Sequence, residues 1–266
     1  MTLPIALTIA GSDCSAGAGM QADLKTFSAL GVHGFTAVTC VVSETPLTVS
    51  AVHPVPPAVL RDQLQLLLAS YPINAIKTGM LYSKDHILAV CDLLEGTDIP
   101  LIVDPVMVAS TGDPLLVEDA LEAIAQRLLP LATIITPNLP EAGILLGRPV
   151  LTAEEQTEAA QELAEKFSTI CYLKGGHLPD HLDHRDLLIG DGEPASFSAP
   201  HLELHQTHGT GCTLAAALTA GIAKGLPIKD AAKRAHAFTH HALKNSLTWT
   251  IPGSHHTISH LDQTQR

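Results

Sequence analysis

His208-Gly-Thr-Gly-Cys212 runs without a break into Thr213-Leu-Ala-Ala-Ala-Leu-Thr-Ala-Gly-Ile-Ala-Lys224, a glycine-rich turn opening a long apolar helix. A helix start leaves several backbone N–H groups without partners, and the positive end of the helix dipole adds to their pull on an anion. Glycines at 209 and 211 let the main chain approach a phosphate closely, because no Cβ stands in the way. Cys212 falls in the first helical turn, where the same field is expected to lower a thiol pKa and favour a thiolate base or nucleophile. Taken alone, the stretch fits equally well a tight turn into a helix packed on a sheet. The rest of the chain decides between the two.

Working outward, apolar runs that read as strands alternate with helical patterns. The first run, residues 3–10, ends at Gly11, and Gly11-Ser-Asp-Cys-Ser-Ala-Gly-Ala-Gly19 leads into a helix over 20–30 capped by Gly31. Further strands are expected at 35–42, 75–77, 101–103, 133–135 and 169–173, with helices at 57–70, 83–94, 115–129 and 153–167. Thr152 with Glu155 three residues on forms a capping box for the last of these. Residues 183–189 and 195–198 read as a hairpin turning at Gly190-Asp-Gly192, and helices over 210–224 and 228–247 follow. Such alternation predicts a three-layer α/β/α, doubly wound, mostly parallel sheet, in one domain over 1–252 with a loose polar tail over 253–266.

The composition agrees. Aromatics make up 3% of 266 residues while 46% are hydrophobic, so the core is built from Leu, Ile, Val and Ala, as parallel strands covered by helices require. A net charge of -12 argues against nucleic acid or an anionic membrane as a general partner. The five cysteines show no paired spacing, and no apolar run reaches the ~18 residues that span a bilayer. With no basic leader segment at the N-terminus, the expectation is a cytoplasmic protein with reduced thiols.

In open sheets of this kind ligands bind beyond the carboxyl ends of the strands. Here those ends are polar one after another: Ser12-Asp13, Glu44, Thr78-Gly79, Asp104-Pro105, Asn138 with Glu141, and Lys174-Gly-Gly. Asp104, Asn138 and Glu141 supply the hard oxygens that Mg²⁺ takes, although Asn138 and Glu141 also suit a helix cap. Lys174 is placed to meet a phosphate as a point charge, or to be an ordinary surface lysine. Gly17-Ala-Gly19-Met-Gln-Ala22, with Glu44 about 20 residues on, matches a dinucleotide fingerprint. It starts too far beyond the first strand, and a loop covering a ligand is the better reading. His177, His181 and His184, and likewise His236, His240 and His241, are close in sequence but have no ligand completing a tetrahedral set, which favours solvated surface. A Walker-type G-x-x-x-x-G-K-[ST] is absent.

Several blocks resemble one family in order. Ala6-Leu-Thr-Ile-Ala-Gly-Ser-Asp13, Gly17-Ala-Gly-Met-Gln-Ala-Asp-Leu-Lys-Thr-Phe27, Lys77-Thr-Gly-Met-Leu81, Asp104-Pro-Val-Met107, Ser110-Thr-Gly-Asp-Pro-Leu115, Thr136-Pro-Asn-Leu-Pro-Glu-Ala142, Lys174-Gly-Gly-His177 and His208-Gly-Thr-Gly-Cys-Thr213 are similar to the hydroxymethylpyrimidine/phosphomethylpyrimidine kinases of thiamine biosynthesis, in the ribokinase-like superfamily. The resemblance covers about residues 3–245. It implies two successive ATP-dependent phosphorylations, of 4-amino-5-hydroxymethyl-2-methylpyrimidine and then of its monophosphate, with Mg²⁺ and a homodimer.

By the same resemblance Gly209, Thr210 and Gly211 hold the transferring phosphoryl group. Cys212 stands where most ribokinase relatives carry an aspartate base. Lys174 contacts phosphate, Asp104, Asn138 and Glu141 organise the metal, and Ala18, Asp23, Met80 and Val106 or Met107 belong to the pyrimidine site. One position departs: the family's Ala-Gln-Asn-Thr is Ser43-Glu-Thr-Pro46 here. The family's glutamine both accepts from the amino group and donates to a ring nitrogen, whereas an ionised Glu44 only accepts. A protonated Glu44 or a protonated pyrimidine restores the pair. A pyridoxal-type kinase is the alternative, and a non-catalytic vitamin-binding protein a more distant one.

Overall fold

The computed structural model describes residues 3–107, 118–176, 183–200, 202, 207–255 and 257–264. In chain order they form β1 (Ile5–Asp13), α1 (Gly19–Ala29), β2 (His33–Thr45), β3 (Thr48–Pro54), α2 (Pro57–Ser70), β4 (Ala75–Thr78), α3 (Lys84–Leu94), β5 (Leu101–Val103), α4 (Glu118–Ala123) and β6 (Ile134–Ile135). Then come α5 (Leu139–Leu146), α6 (Ala153–Phe167), β7 (Ile170–Leu173), β8 (Asp183–Ile189), β9 (Ala195–Pro200), β10 (Thr207–His208), α7 (Thr210–Ala223), α8 (Ile228–Lys244), β11 (Leu247–Thr250) and β12 (Thr257–His260).

The main sheet has nine strands in the order β3-β2-β1-β4-β5-β6-β7-β8-β9. The six central strands are parallel, and β3, β8 and β9 add antiparallel pairs at the two edges. Strand alternation divides the core between two faces. Leu7 and Ile9 of β1 and Leu101 and Val103 of β5 pack with α2, α3 and α6, while Ala6 and Ile102 pack with α1, α7 and α8. The α/β/α layering expected from the sequence is therefore present. Helix α7 is buried nearly all round, through Leu214, Ala215, Ala216, Ala217, Leu218 and Ala220, which is why it carries small residues on every side. A Cβ on Gly221 would stand 2.7 Å from that of Ala231, so α7 and α8 touch almost backbone to backbone.

Four details differ from the sequence reading. The expected helix over 115–129 begins outside the described residues and, after Ala123, passes into a π turn (Ile124–Leu128) and a 3₁₀ turn (Leu129–Leu131), where Pro130 lacks the N–H an α-turn needs. The last helix stops at Lys244 rather than Leu247, and β11 follows. Strand β3 has a mostly exposed face and offered no hydrophobic alternation to read. Finally, the tail is not loose: β12 lies between β10 and β11 in a three-stranded sheet, with Leu261 and Gln263 buried after it.

Candidate active site

The carboxyl ends of β1, β2, β4, β5 and β7 point toward the N-termini of α1 and α7, and the polar residues predicted at those ends gather there. Gly209 precedes α7 with φ 86°, and a Cβ at this position would strike the Gly17 carbonyl, so the anion-binding turn lies directly on the loop after β1. Lys174 extends from β7 to Asp104 Oδ1 at 2.9 Å and comes within 3.8 Å of Glu141 Oε2. A Cβ on Gly211 would stand 3.1 Å from Lys174 Nζ and 3.6 Å from Asp104 Oδ2. The missing side chain leaves a cradle lined by a helix start, an ammonium and a carboxylate. Lys174 is thus no surface lysine, with only 14% of its side chain exposed.

Asn138 and Glu141 form a capping box for α5: Glu141 N donates to Asn138 Oδ1 and Asn138 N donates to Glu141 Oε2, each at 2.8 Å. The Met107 N–H also donates to Glu141. Burial, with the nearby Asp104, holds the Glu141 carboxyl above the usual carboxylate range, against the pull of Lys174. Asp104, Asn138 and Glu141 therefore lie together beside the cradle, and their hard oxygen donors suit Mg²⁺.

Cys212 differs from its sequence expectation. Burial pushes its thiol up to about 12; Lys77 and the Gly19 N–H act in the other direction, and neither they nor the helix start prevail. The protein without substrate holds a thiol, not a thiolate. Beneath it Lys77 Nζ meets Asp23 Oδ2 at 2.9 Å with both side chains 0% exposed, and Thr8 Oγ1 donates to the same oxygen at 2.6 Å. Asp23 was expected among the substrate contacts; instead it is sealed under the site as the counter-ion of Lys77. Burial disfavours the Lys77 charge, but Asp23 together with Cys212 and Asp104 keeps its pKa above the ordinary lysine value. Lys77→Met would leave Asp23 buried without its counter-ion, and should destabilise the fold by about 3–5 kcal/mol in urea unfolding.

On the substrate side Ala18, Met80 and Val106 are half-buried around the loop, whereas Met107 is 4% exposed and packs in the core. Glu44, at the end of β2, has 15% of its side chain exposed and lies 3.9 Å from His208 Nε2. Burial, then Asp13, raise its carboxyl pKa, and His208 opposes them. Asp13 itself accepts from Ser15, Gly17 N, Ala18 N and His208 Nε2. Burial opposes its charge, but the bonds from His208, Ala18 and Ser15 prevail and hold the carboxyl well below the usual range. The loop N–H groups of the dinucleotide-like fingerprint are turned inward to Asp13, not outward to a pyrophosphate.

Asp13 was noted as a polar strand end and Lys77 and His208 as parts of longer blocks, but none of the three was given a role in the site. The available signal was a charged residue at the end of, or inside, an otherwise apolar strand. The histidines suspected as surface behave variously. His236 Nδ1 pairs with Asp186 at 3.0 Å, and His240 Nε2 contacts the Pro200 carbonyl at 3.2 Å. His177, His181 and the block Ser110–Leu115 lie outside the described residues, as does the His184 side chain.

A glycine turn at a helix start, with an ammonium and carboxylates converging on it at the carboxyl ends of an open α/β sheet, fits a phosphotransferase of the ribokinase-like class. Solved structures agree. Pyridoxal kinase from Staphylococcus aureus, in complex with AMP-PCP and pyridoxal, is similar with a TM-score of 0.88 at 36% identity, over 100% of this chain and 95% of that one. Phosphomethylpyrimidine kinase from Clostridium difficile 630 gives 0.80 at 33% identity, over 91% and 100%. In sequence, hydroxymethylpyrimidine/phosphomethylpyrimidine kinase of Rhizobium meliloti (strain 1021) is 40% identical over 240 residues, 90% of each chain. The model of the phosphomethylpyrimidine kinase family matches residues 13–257, and the chain belongs to that family.

Proposed function

We propose that the chain transfers the γ-phosphoryl group of ATP to the hydroxymethyl oxygen of 4-amino-5-hydroxymethyl-2-methylpyrimidine and then to the resulting monophosphate, in thiamine biosynthesis. The observation that carries this reading is the cradle at Gly211, bounded by Lys174 Nζ and Asp104 Oδ2 and opening beside Cys212. Gly209, Thr210 and Gly211 receive the transferring group on their N–H donors, and Lys174 offsets its charge. Asp104, Asn138 and Glu141 would hold Mg²⁺, directly or through water, and the ion would supply further charge neutralisation. Ala18, Met80 and Val106 wall the ring and Glu44 reads its edge, so the acceptor oxygen is held toward Cys212. Positioning and electrostatics of this kind account for most of the catalysis that phosphoryl transfer needs. The assembly is a cytoplasmic homodimer.

The direct test offers ATP with hydroxymethylpyrimidine, its monophosphate and pyridoxal side by side in steady-state turnover. The two pyrimidines should give the higher kcat/KM. Preference for pyridoxal would keep the phosphoryl-transfer site and change the acceptor. That second reading has a specific basis: Glu44 replaces the family's glutamine, and the pyridoxal kinase of S. aureus is similar over the whole chain.

Glu44 gives a pH prediction. Its raised pKa keeps a share of the carboxyl protonated above its ordinary range, where it donates to a ring nitrogen while accepting from the amino group. The kcat/KM for the neutral pyrimidine should therefore fall as pH rises through that raised value. Glu44→Gln should flatten this dependence and raise kcat/KM by about 10-fold at pH 8. An unchanged profile would remove Glu44 from the ring contact.

A further inference from the structure

The match to the family model stops at residue 257, yet the chain continues into ordered structure that touches both halves of the site. Strand β12 pairs in parallel with β10, with His260 opposite His208 and Ser259 opposite Thr207. His208 immediately precedes the Gly209 turn, so β12 holds the entry to the anion-binding helix. On its other side β12 pairs with β11, where Ser259 Oγ and Thr248 Oγ1 lie 2.9 Å apart.

Beyond the strand, Leu261 is 2% and Gln263 3% exposed, and Gln263 Nε2 donates to Thr213 Oγ1, next in sequence to Cys212, at 3.2 Å. The Asp262 N–H donates to the Ala242 carbonyl of α8 at 3.1 Å. The loop after β1 is gripped as well. A Cβ on Gly17 would stand 2.9 Å from the His208 ring and 3.1 Å from two atoms of the His260 ring. The His260 ring is itself backed by Trp249 at 5.3 Å between centroids, edge to face.

We infer that residues 257–264 are a positioning strap for the active site: His260 seats the Gly17–Ala18 loop and Gln263 fixes the first turn of α7, so that acceptor wall and anion-binding turn keep their mutual geometry. No atom of the strap is required to touch the reacting groups. Its effect is exerted through Gly17, His208 and Thr213. The geometry is demanding, since a displacement of about 1 Å in such a site costs on the order of 10²-fold in rate. The kinetic side of this inference rests on the kinase reading above.

Three variants test it: Gln263→Ala and His260→Ala in the full chain, and a chain ending at residue 256. Each is assayed for kcat and KM for ATP, and for hydrogen exchange in segments 13–19 and 208–214. The point variants should lose about 10-fold in kcat with the KM for ATP changed less than about 3-fold, and should exchange faster in both segments at temperatures well below unfolding. The truncated chain should lose on the order of 10²-fold or more. Should it fail to fold, the point variants still decide. Unchanged exchange in both segments would overturn the strap whatever the acceptor proves to be. Faster exchange in a protein that phosphorylates none of the three acceptors would instead support the strap and remove the proposed function. Lowered thermal stability with kcat within about 2-fold would reduce the segment to a structural brace and overturn the inference.

Discussion

Cys212→Ala should reduce kcat by ~10²–10⁴-fold while the protein still folds, if the position handles the acceptor proton as proposed above. The thiol is pushed up to about 12 by burial, so the free enzyme carries it protonated at neutral pH. The groups around the sulfur bear on the proposed role as base. The Gly19 N–H and the ammonium of Lys77 both favour negative charge on the sulfur, and Lys77 is kept charged by Asp23 at 2.9 Å. A thiol that holds its own proton cannot take the acceptor's, so in this role Cys212 would first release that proton and act as the small thiolate fraction that Lys77 and the Gly19 N–H favour. Two readouts follow. Iodoacetamide should alkylate Cys212 slowly at pH 7 and faster as pH rises toward 12, since the thiolate is the nucleophile. Cys212→Asp, which restores the residue most ribokinase relatives carry, should recover turnover relative to alanine. Near-wild-type rates in Cys212→Ala would leave the residue with packing alone.

Lys174→Met should lower kcat by about 10²–10³-fold, the scale of losing one preorganised group that faces developing charge. Its Nζ lies 2.9 Å from Asp104 Oδ1 and 3.1 Å from where a Gly211 Cβ would stand, so it serves both the carboxylates and the cradle. Without it Asp104 and Glu141 confront each other with no cation between them, and Glu141 is driven further toward its neutral form. The sign of the stability effect follows. A carboxyl whose folded pKa lies above its unfolded value binds a proton that the unfolded chain releases, so stability falls as pH rises between the two values. Lys174→Met should widen that interval. In urea unfolding the variant should lose less stability at pH 5 than at pH 8, a difference the parent shows more weakly. Equal losses at both pH values would mean that Lys174 does not govern the carboxylates.

The site was legible in the sequence where chemistry and position coincide. Gly209, Thr210, Gly211 and Cys212 are contiguous, and the strand ends carrying Asp104 and Lys174 were marked by polar residues breaking apolar runs. It was less legible where one residue type serves two purposes. Asn138 and Glu141 read as either metal donors or a cap, and the structure has them capping α5 while Asn138 bridges to Lys174, whose ammonium reaches both Asp104 and Glu141. Asp23 sits in a block resembling a ligand-binding family, but helical phase turns it inward to Lys77. Met107 likewise follows Val106 by one residue and is carried into the core.

Periodicity and punctuation determined the layers, the parallel order of alternating elements and the capping of α6, because each depends on neighbours within a few residues. Three features required the tertiary structure: the burial that raises Cys212, the Lys77–Asp23 pair across 54 positions, and the insertion of β12 between β10 and β11. A thiol's acidity depends on the competition between desolvation and charges brought from distant strands. A short polar strand such as Thr257–His260 is stabilised by the partners it finds, not by any pattern of its own.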